Sequence, residues 1–294
     1  MKKGITYSVA VCCISWAVFC VVYAACGFDF SDKPAVLSIV KTFYMLLPMA
    51  VAMVLQKIGK EPFKSTGLLN FRISWSWLWA LALPVAYMLL SILTCAMLPG
   101  IRLEYNADHF ISLNGLDGQT ADLLKSQISA IPPAAVLVST LFNGMLAGCT
   151  INGLFAFGEE YGWRNYMASA LKGQNFWKAA AIIGAVWGIW HMPLILMGHN
   201  YPQHPIAGVG MMCIFCILLG VLELWVLKKT GSVIAVAVMH GTVNGVTPNS
   251  LLFINGGNDL TGITGLGGFI ALALIIALLA FWDSRHERIM FGRL

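Results

Sequence analysis

Apolar positions along this chain neither alternate nor form narrow stripes; they run on for about twenty residues at a time. Runs near 5–26, 35–56, 75–98, 134–158, 177–198, 205–227, 232–254 and 262–282 are each long enough to cross the ~30 Å hydrocarbon core of a bilayer as a helix. Helix is the expected form, because an open strand in hydrocarbon leaves backbone groups unpaired. Helix breakers punctuate the runs, as in "HNYPQHP" (199–205) and "NGGND" (255–259). With no low-complexity linker and no obvious internal repeat, the pattern predicts one all-α transmembrane domain over 1–294, a polytopic bundle of about eight spans.

Charge orients the bundle. Lys2, Lys3, Lys57, Lys60, Lys64, Arg72, Arg164, Lys172, Lys178, Lys228, Lys229, Arg285, Arg288 and Arg293 fall on one side of the spans, 14 of the 18 basic residues. The opposite side holds Lys33, Lys41, Arg102 and Lys125 together with Asp29, Asp32, Glu104, Asp108, Asp117, Asp122 and Asp259. The positive-inside rule then places both termini in the cytoplasm, in agreement with an even number of spans. Segment 99–131 becomes the largest outer loop.

Composition narrows the class further. Hydrophobic residues make up 59% of the chain and charged residues 11%, against about 25% charged in a soluble domain, and mean hydropathy is +0.78. The bilayer is therefore the expected solvent and the cell membrane the expected location. The net charge of +5 reads as topology and contact with anionic membrane lipids, not as nucleic-acid binding. The opening apolar run of about 22 residues exceeds the ~7–15 of a signal-peptide core and reads as a membrane anchor. The cysteines lie within or at the ends of the runs; "CIFC" (213–216) sits mid-run with no second Cys/His pair at zinc-site spacing, so disulfides and structural zinc are not expected.

Three polar insertions interrupt this background: "GEEYGWRNYM" (158–167), "WGIWHMP" (187–193) and "MHGTVN" (239–244). Ionisable groups inside spans are costly and mark functional candidates that face the bundle interior. Glu159 lies 13 residues before Lys172, His191 13 after Lys178 and His240 11 after Lys229. At 1.5 Å per residue all three sit about 16–20 Å from those cytoplasmic markers, in one layer. Glu160 and Arg164 are four apart and share a helix face; Glu159 projects about 140° away from Arg164, free to point elsewhere. His240 and Asn244 share a face in the same way, and Trp187 stands one turn before His191. Pro193 is expected to open the helix beside His191. Glu223, near the cytoplasmic end of its run, is expected to reach the interface. His109, His199 and His204 are expected to be solvated.

These residue types suit hydrolysis by an activated water. A buried glutamate serves as general base and a neighbouring histidine orients the water or shares its proton. A second histidine and an asparagine amide are donors for an oxyanion. The set Glu159, His191 and His240 is alternatively a ligand set for a divalent metal such as zinc, with an open position; no HExxH is present. No Ser or Cys stands in a nucleophile context. Each insertion also has a bland counterpart: an ion pair for Glu160 and Arg164, a helix-end acid for Glu159, a core histidine for His191, and interhelical hydrogen bonding for His240 and Asn244.

In these three motifs the chain resembles the CAAX-processing and bacteriocin-processing membrane proteases (the CPBP, or Abi, family), which carry EExxxR, an aromatic-xxx-His motif and HxxxN or HxxxD on separate transmembrane helices. The matches are "EEYGWR" (159–164), "WGIWH" (187–191) and "HGTVN" (240–244), in order, within about 135–250. Trp187 stands where the family more often has phenylalanine. The resemblance implies an intramembrane endopeptidase in which Glu159 and His191 activate water, His240 and Asn244 stabilise the oxyanion, and Glu160, Arg164 and Trp187 support them. It implies a peptide or lipidated protein as substrate, through CAAX-type C-terminal processing or through bacteriocin or signal-peptide maturation or immunity. It leaves metal-dependent and metal-free mechanisms both open, so no cofactor is assigned. The competing class is a non-catalytic membrane scaffold or transporter-like protein binding a peptide or ion at the polar layer; transporters more often show repeated halves with paired broken helices.

Overall fold

A computed structural model describes residues 2–28, 30, 33–61, 74–114 and 116–294. Lys64, Arg72, Asp29 and Asp32, which enter the charge argument, lie outside the described residues. The chain is an almost wholly helical, polytopic membrane bundle. α1 (Lys2–Ala25) is followed by α2 (Pro34–Tyr44) and α3 (Leu47–Ile58), then by α4 (Leu78–Ala96). Past the two-residue strand β1 (Arg102–Leu103) come α5 (Asp108–Asn114), α6 (Gly118–Ser129), α7 (Pro133–Cys149) and α8 (Ile151–Glu160). A π-helical stretch, Tyr161–Met167, continues α8 into the single turn α9 (Ala168–Ala170). Then follow α10 (Phe176–Trp190), α11 (Met192–Leu196), α12 (Pro205–Thr230), α13 (Val233–Val246), strand β2 (Ile254–Asn255) and α14 (Leu266–His286).

Among the described residues, five segments are long and apolar enough to cross a membrane: Lys2–Ala25, Ala35–Ile58, Trp75–Ala96, Pro205–Thr230 and Leu266–His286. The pair α6 and α7, bent by 107°, makes a sixth if taken as one span. The runs expected at 134–158, 177–198 and 232–254 are helical but interrupted. The first breaks at Thr150, whose backbone leaves the helical region (φ −127°, ψ −110°). The other two break beside Pro193 and Pro248, where proline removes a backbone donor and its ring crowds the preceding turn. All three broken runs carry or flank the polar insertions.

The two ends of the bundle differ in chemistry. At the end bearing the termini, Lys3 pairs with Glu61 and Lys229 with Glu287, and the Lys228 ammonium donates to the Arg293 carbonyl at 3.3 Å. There the last residue, Leu294, exchanges backbone hydrogen bonds with Gly173 and Gln174 at 3.0 and 2.9 Å. At the other end β1 and β2 pair antiparallel, Arg102 opposite Asn255. Segment 99–131 is more than a solvated loop. It joins a second, smaller core, with Ile101, Ile111 and Ile128 against Met88 and Ile92 of α4 and against Leu252 and Ile254.

The expectation of solvated outer histidines is corrected for His109 and in part for His199, while the His204 side chain stays 40% exposed. His109, on α5, is only 7% exposed, because α5 folds back on the bundle. His204 Nδ1 meets Asp259 Oδ1 at 2.6 Å, and the same carboxylate accepts from the backbone N–H groups of Gln203 (2.7 Å) and His204 (3.1 Å). His199 is partly buried and lines a cavity.

Candidate active site

The candidate side chains stand on elements held unusually close. A Cβ on Gly188 of α10 would lie 2.4 Å from the Cys213 Cα of α12, and one on Gly241 of α13 would lie 2.6 Å from the Gly153 nitrogen of α8. Only glycine lets these backbones approach so far, and the approach brings α8, α10, α12 and α13 around one polar centre.

Glu160 and Glu223 are fully buried, and Arg164 lies between them. Arg164 Nη1 donates to Glu160 Oε1 at 3.1 Å while Nη2 contacts Glu223 Oε2. Glu160 Oε1 also accepts from His240 Nδ1 at 2.8 Å, and Glu223 Oε1 lies 3.9 Å from the same nitrogen. The sequence places Glu160 with Arg164; the ties to His240 and Glu223 are additional. Glu223 is a correction: it does not reach the interface, because α12 turns it inward onto the guanidinium. Removing either sign from such a cluster leaves a buried charge uncompensated.

Glu159 faces another way. Its Oε2 accepts from Trp187 Nε1 at 2.6 Å, and no hydrogen bond engages Oε1 among the described residues. The Trp187 ring lies over the Arg164 guanidinium, 4.5 Å from its centroid, and meets the His240 ring at 5.3 Å between centroids. A tryptophan thus joins the two halves of the site.

His191 caps the C-terminus of α10, where Pro193 ends the regular ladder. Its backbone N–H turns to Gly188 at 3.1 Å, and its ring Nδ1 takes the Trp187 carbonyl at 2.9 Å. A carbonyl only accepts, so Nδ1 carries the proton and Nε2 keeps a lone pair. The Trp190 carbonyl is satisfied by Tyr44 Oη at 3.0 Å and Trp16 Nε1 at 3.2 Å. Helix-end carbonyls inside the bundle need such partners.

Glu159, Trp187, His191, His240 and Asn244 all line one cavity of about 310 Å³, walled on its apolar side by Trp190, Phe215 and Leu219. Glu160 and Arg164 are not among its wall residues; they sit behind it. The metal set read from the sequence, Glu159, His191 and His240, is not preassembled. The tight cluster among the described residues is Glu160, Glu223 and His240, with ligand atoms within 4.8 Å of one another. That cluster already holds a cation, the Arg164 guanidinium, so its donors do not fit a divalent ion as they stand.

Residues 132–246 match the family model of the Rce1-like type II CAAX prenyl endopeptidases. A CAAX prenyl protease 2 of Methanococcus maripaludis is 29% identical over 139 aligned residues, which cover 38% of this chain and 51% of that protein. The chain thus spans about half the length of the curated relative it matches. Glu159, Glu160, Arg164, Trp187, His191, His240 and Asn244 all fall inside the matched stretch, and it is over residues 132–246 that the chain is similar to the Rce1-like type II CAAX prenyl endopeptidases.

Proposed function

We propose that the chain is an intramembrane endopeptidase of the cell membrane that hydrolyses a peptide bond by a glutamate-activated water. The observation that carries the reading is the single cavity wall on which an unengaged carboxylate oxygen, Glu159 Oε1, shares space with His191, His240 and Asn244. With its Nδ1 committed to Trp187, His191 offers Nε2 as an acceptor that orients the water. Glu159 takes a proton from that water as its oxygen attacks the scissile carbonyl. The tetrahedral oxyanion then needs donors. The Asn244 amide supplies one. His240 supplies the other from Nε2, because Glu160 and Glu223 beside Nδ1 compensate a second proton on its ring. The C–N bond breaks as Glu159 passes its proton to the leaving amine, giving a new carboxyl terminus and a free amine.

The substrate class proposed is a membrane-associated protein or peptide, including the prenylated C-terminal kind named for the relative. A purified-chain assay on lipidated and unlipidated peptides tests this. The wild-type chain releases a C-terminal fragment, and Glu159→Gln does not while melting at the same temperature. Wild-type cleavage by Glu159→Gln would refute the reading. Comparing protein C-termini in cells carrying either chain identifies the natural substrate.

A further inference from the structure

The cavity does not end at the polar centre. A second cavity of about 590 Å³ lies on the side of the 198–204 and 259–264 segments. Lys41, His199, Asn200, Thr247, Pro248 and Thr264 line both spaces. These residues form a collar between an outer vestibule and the candidate active site.

The collar is rich in donors and poor in acids. Lys41 is partly buried in the last turn of α2, and among the described residues no hydrogen bond or ion pair engages its ammonium. Of the two acids in the joined walls, Asp259 has both oxygens engaged, and Glu159 keeps only Oε1 free among the described residues, in the inner cavity and not at the collar. Asp259 is held by His204 and by two backbone N–H groups, and Glu159 is held by Trp187. Gly198 (φ 89°) and Asn200 (φ 60°) both bend left-handed, and the intervening His199 lines both cavities. Burial first, and the Lys41 charge second, push the His199 imidazole down to about 3; it is neutral at physiological pH and leaves Lys41 as the collar's charge. A favourable interaction with the C-terminal end of α2 accounts for a basic residue in that turn, but not for its position on the wall of both cavities.

We propose that Lys41, with His199 and Asn200 beside it, recognises a carboxylate of the peptide bound for cleavage. An unpaired cation at the mouth of a site is completed by an anion of the ligand, and the Asn200 amide beside it has only a long 3.9 Å contact to the Met212 sulfur to give up. The proposal rests on the peptidase reading. It deepens that reading by assigning selectivity: the scissile bond enters the inner cavity while a nearby carboxylate stays at the collar.

Binding separates the two ideas. Dye-labelled octapeptides of one sequence are prepared with a free C-terminus, with a C-terminal amide, and with an amidated C-terminal aspartate. Their affinities for the full-length Glu159→Gln chain in micelles are read by fluorescence anisotropy. The expected preference for a carboxylate over the plain amide is on the order of tenfold, lost in the added variant Lys41→Met and largely kept in Lys41→Arg. The third peptide tells a terminal carboxylate from a side-chain one. Equal binding of all three peptides, or an undiminished preference in Lys41→Met, overturns the proposal and leaves the peptidase reading standing. A chain that binds none of the peptides, and whose wild-type form cleaves none, overturns both.

Discussion

Trp187 Nε1 donates to Glu159 Oε2 at 2.6 Å while the face of the same indole covers the Arg164 guanidinium. Trp187→Phe deletes the donor and keeps an aromatic ring, though a smaller one, over the guanidinium. A hydrogen bond to a charged group contributes about 1.5–3 kcal/mol, so kcat should fall on the order of 10–100-fold with KM little changed. Steady-state kinetics on a cleaved peptide measure it. A loss confined to KM would mean that the indole serves binding instead.

Arg164 is gripped by two carboxylates on different helices. Arg164→Ala should cost roughly 3–5 kcal/mol, the range for breaking a buried pair, and Glu160→Gln less. Arg164→Lys should rescue only part of the loss, because an ammonium cannot span two carboxylates as a planar fork does. Thermal unfolding in detergent checks the series. An Arg164→Ala chain that melts like wild type would contradict the buried arrangement.

If Glu159 and His191 handle one water together, their losses should not multiply. Glu159→Ala, His191→Ala and the double variant should retain similar residual activity, as in other catalytic units. Asn244→Ala should lose on the order of 10²–10³-fold, the cost of one oxyanion donor. A strong chelator should leave the wild-type rate unchanged. Inhibition by chelator with recovery on added zinc would show that a metal carries the step.

Gly241 lies against Gly153, next to His240 in sequence. Gly241→Ala should push α13 from α8, destabilise the bundle by about 1–3 kcal/mol, the usual cost of overpacking, and lengthen the Glu160–His240 contact. The expected result is a lower melting temperature together with lost activity. Unchanged values of both would show that the helices can part at no cost.

The charge asymmetry predicts cytoplasmic termini. Single cysteines at Lys60 and Asp117 should then label from opposite faces of sealed cells with a membrane-impermeant thiol reagent. Labelling from the same face would overturn this topology.

Sequence reading reached the features that local spacing encodes. The four-residue interval between Glu160 and Arg164 fixed a shared face, and Pro193 marked the end of α10. It did not reach contacts made by chain crossing. Glu223 meets Arg164 across 59 residues and His240 meets Glu160 across 80; nothing on their own helices announces either partner. Glu223 looked interfacial because Lys228 follows within two turns, and only the inward roll of α12 shows otherwise. The break at Thr150 has no proline or charge to signal it. It lies between two close approaches to α13, Gly148 against Thr242 and Gly153 against Gly241, which no local signal announces. His109 is buried because α5 packs back onto this end of the bundle, a fold-back that its local sequence does not encode.

The π-helical stretch Tyr161–Met167 has every one of its residues buried. A helix that borders lipid has one flank where residue types can be exchanged freely; this segment has no such flank. Its wider winding also sets the phase between α8 and Arg164, and one residue added or removed between Glu160 and Arg164 would rotate the guanidinium by about 100° about the helix axis. Arg164 would then swing off both carboxylates, and Trp187 would lose the cation beneath its ring. The count of residues across "EEYGWR" therefore acts as a ruler for the site. An insertion within it should abolish function even if every named side chain were kept.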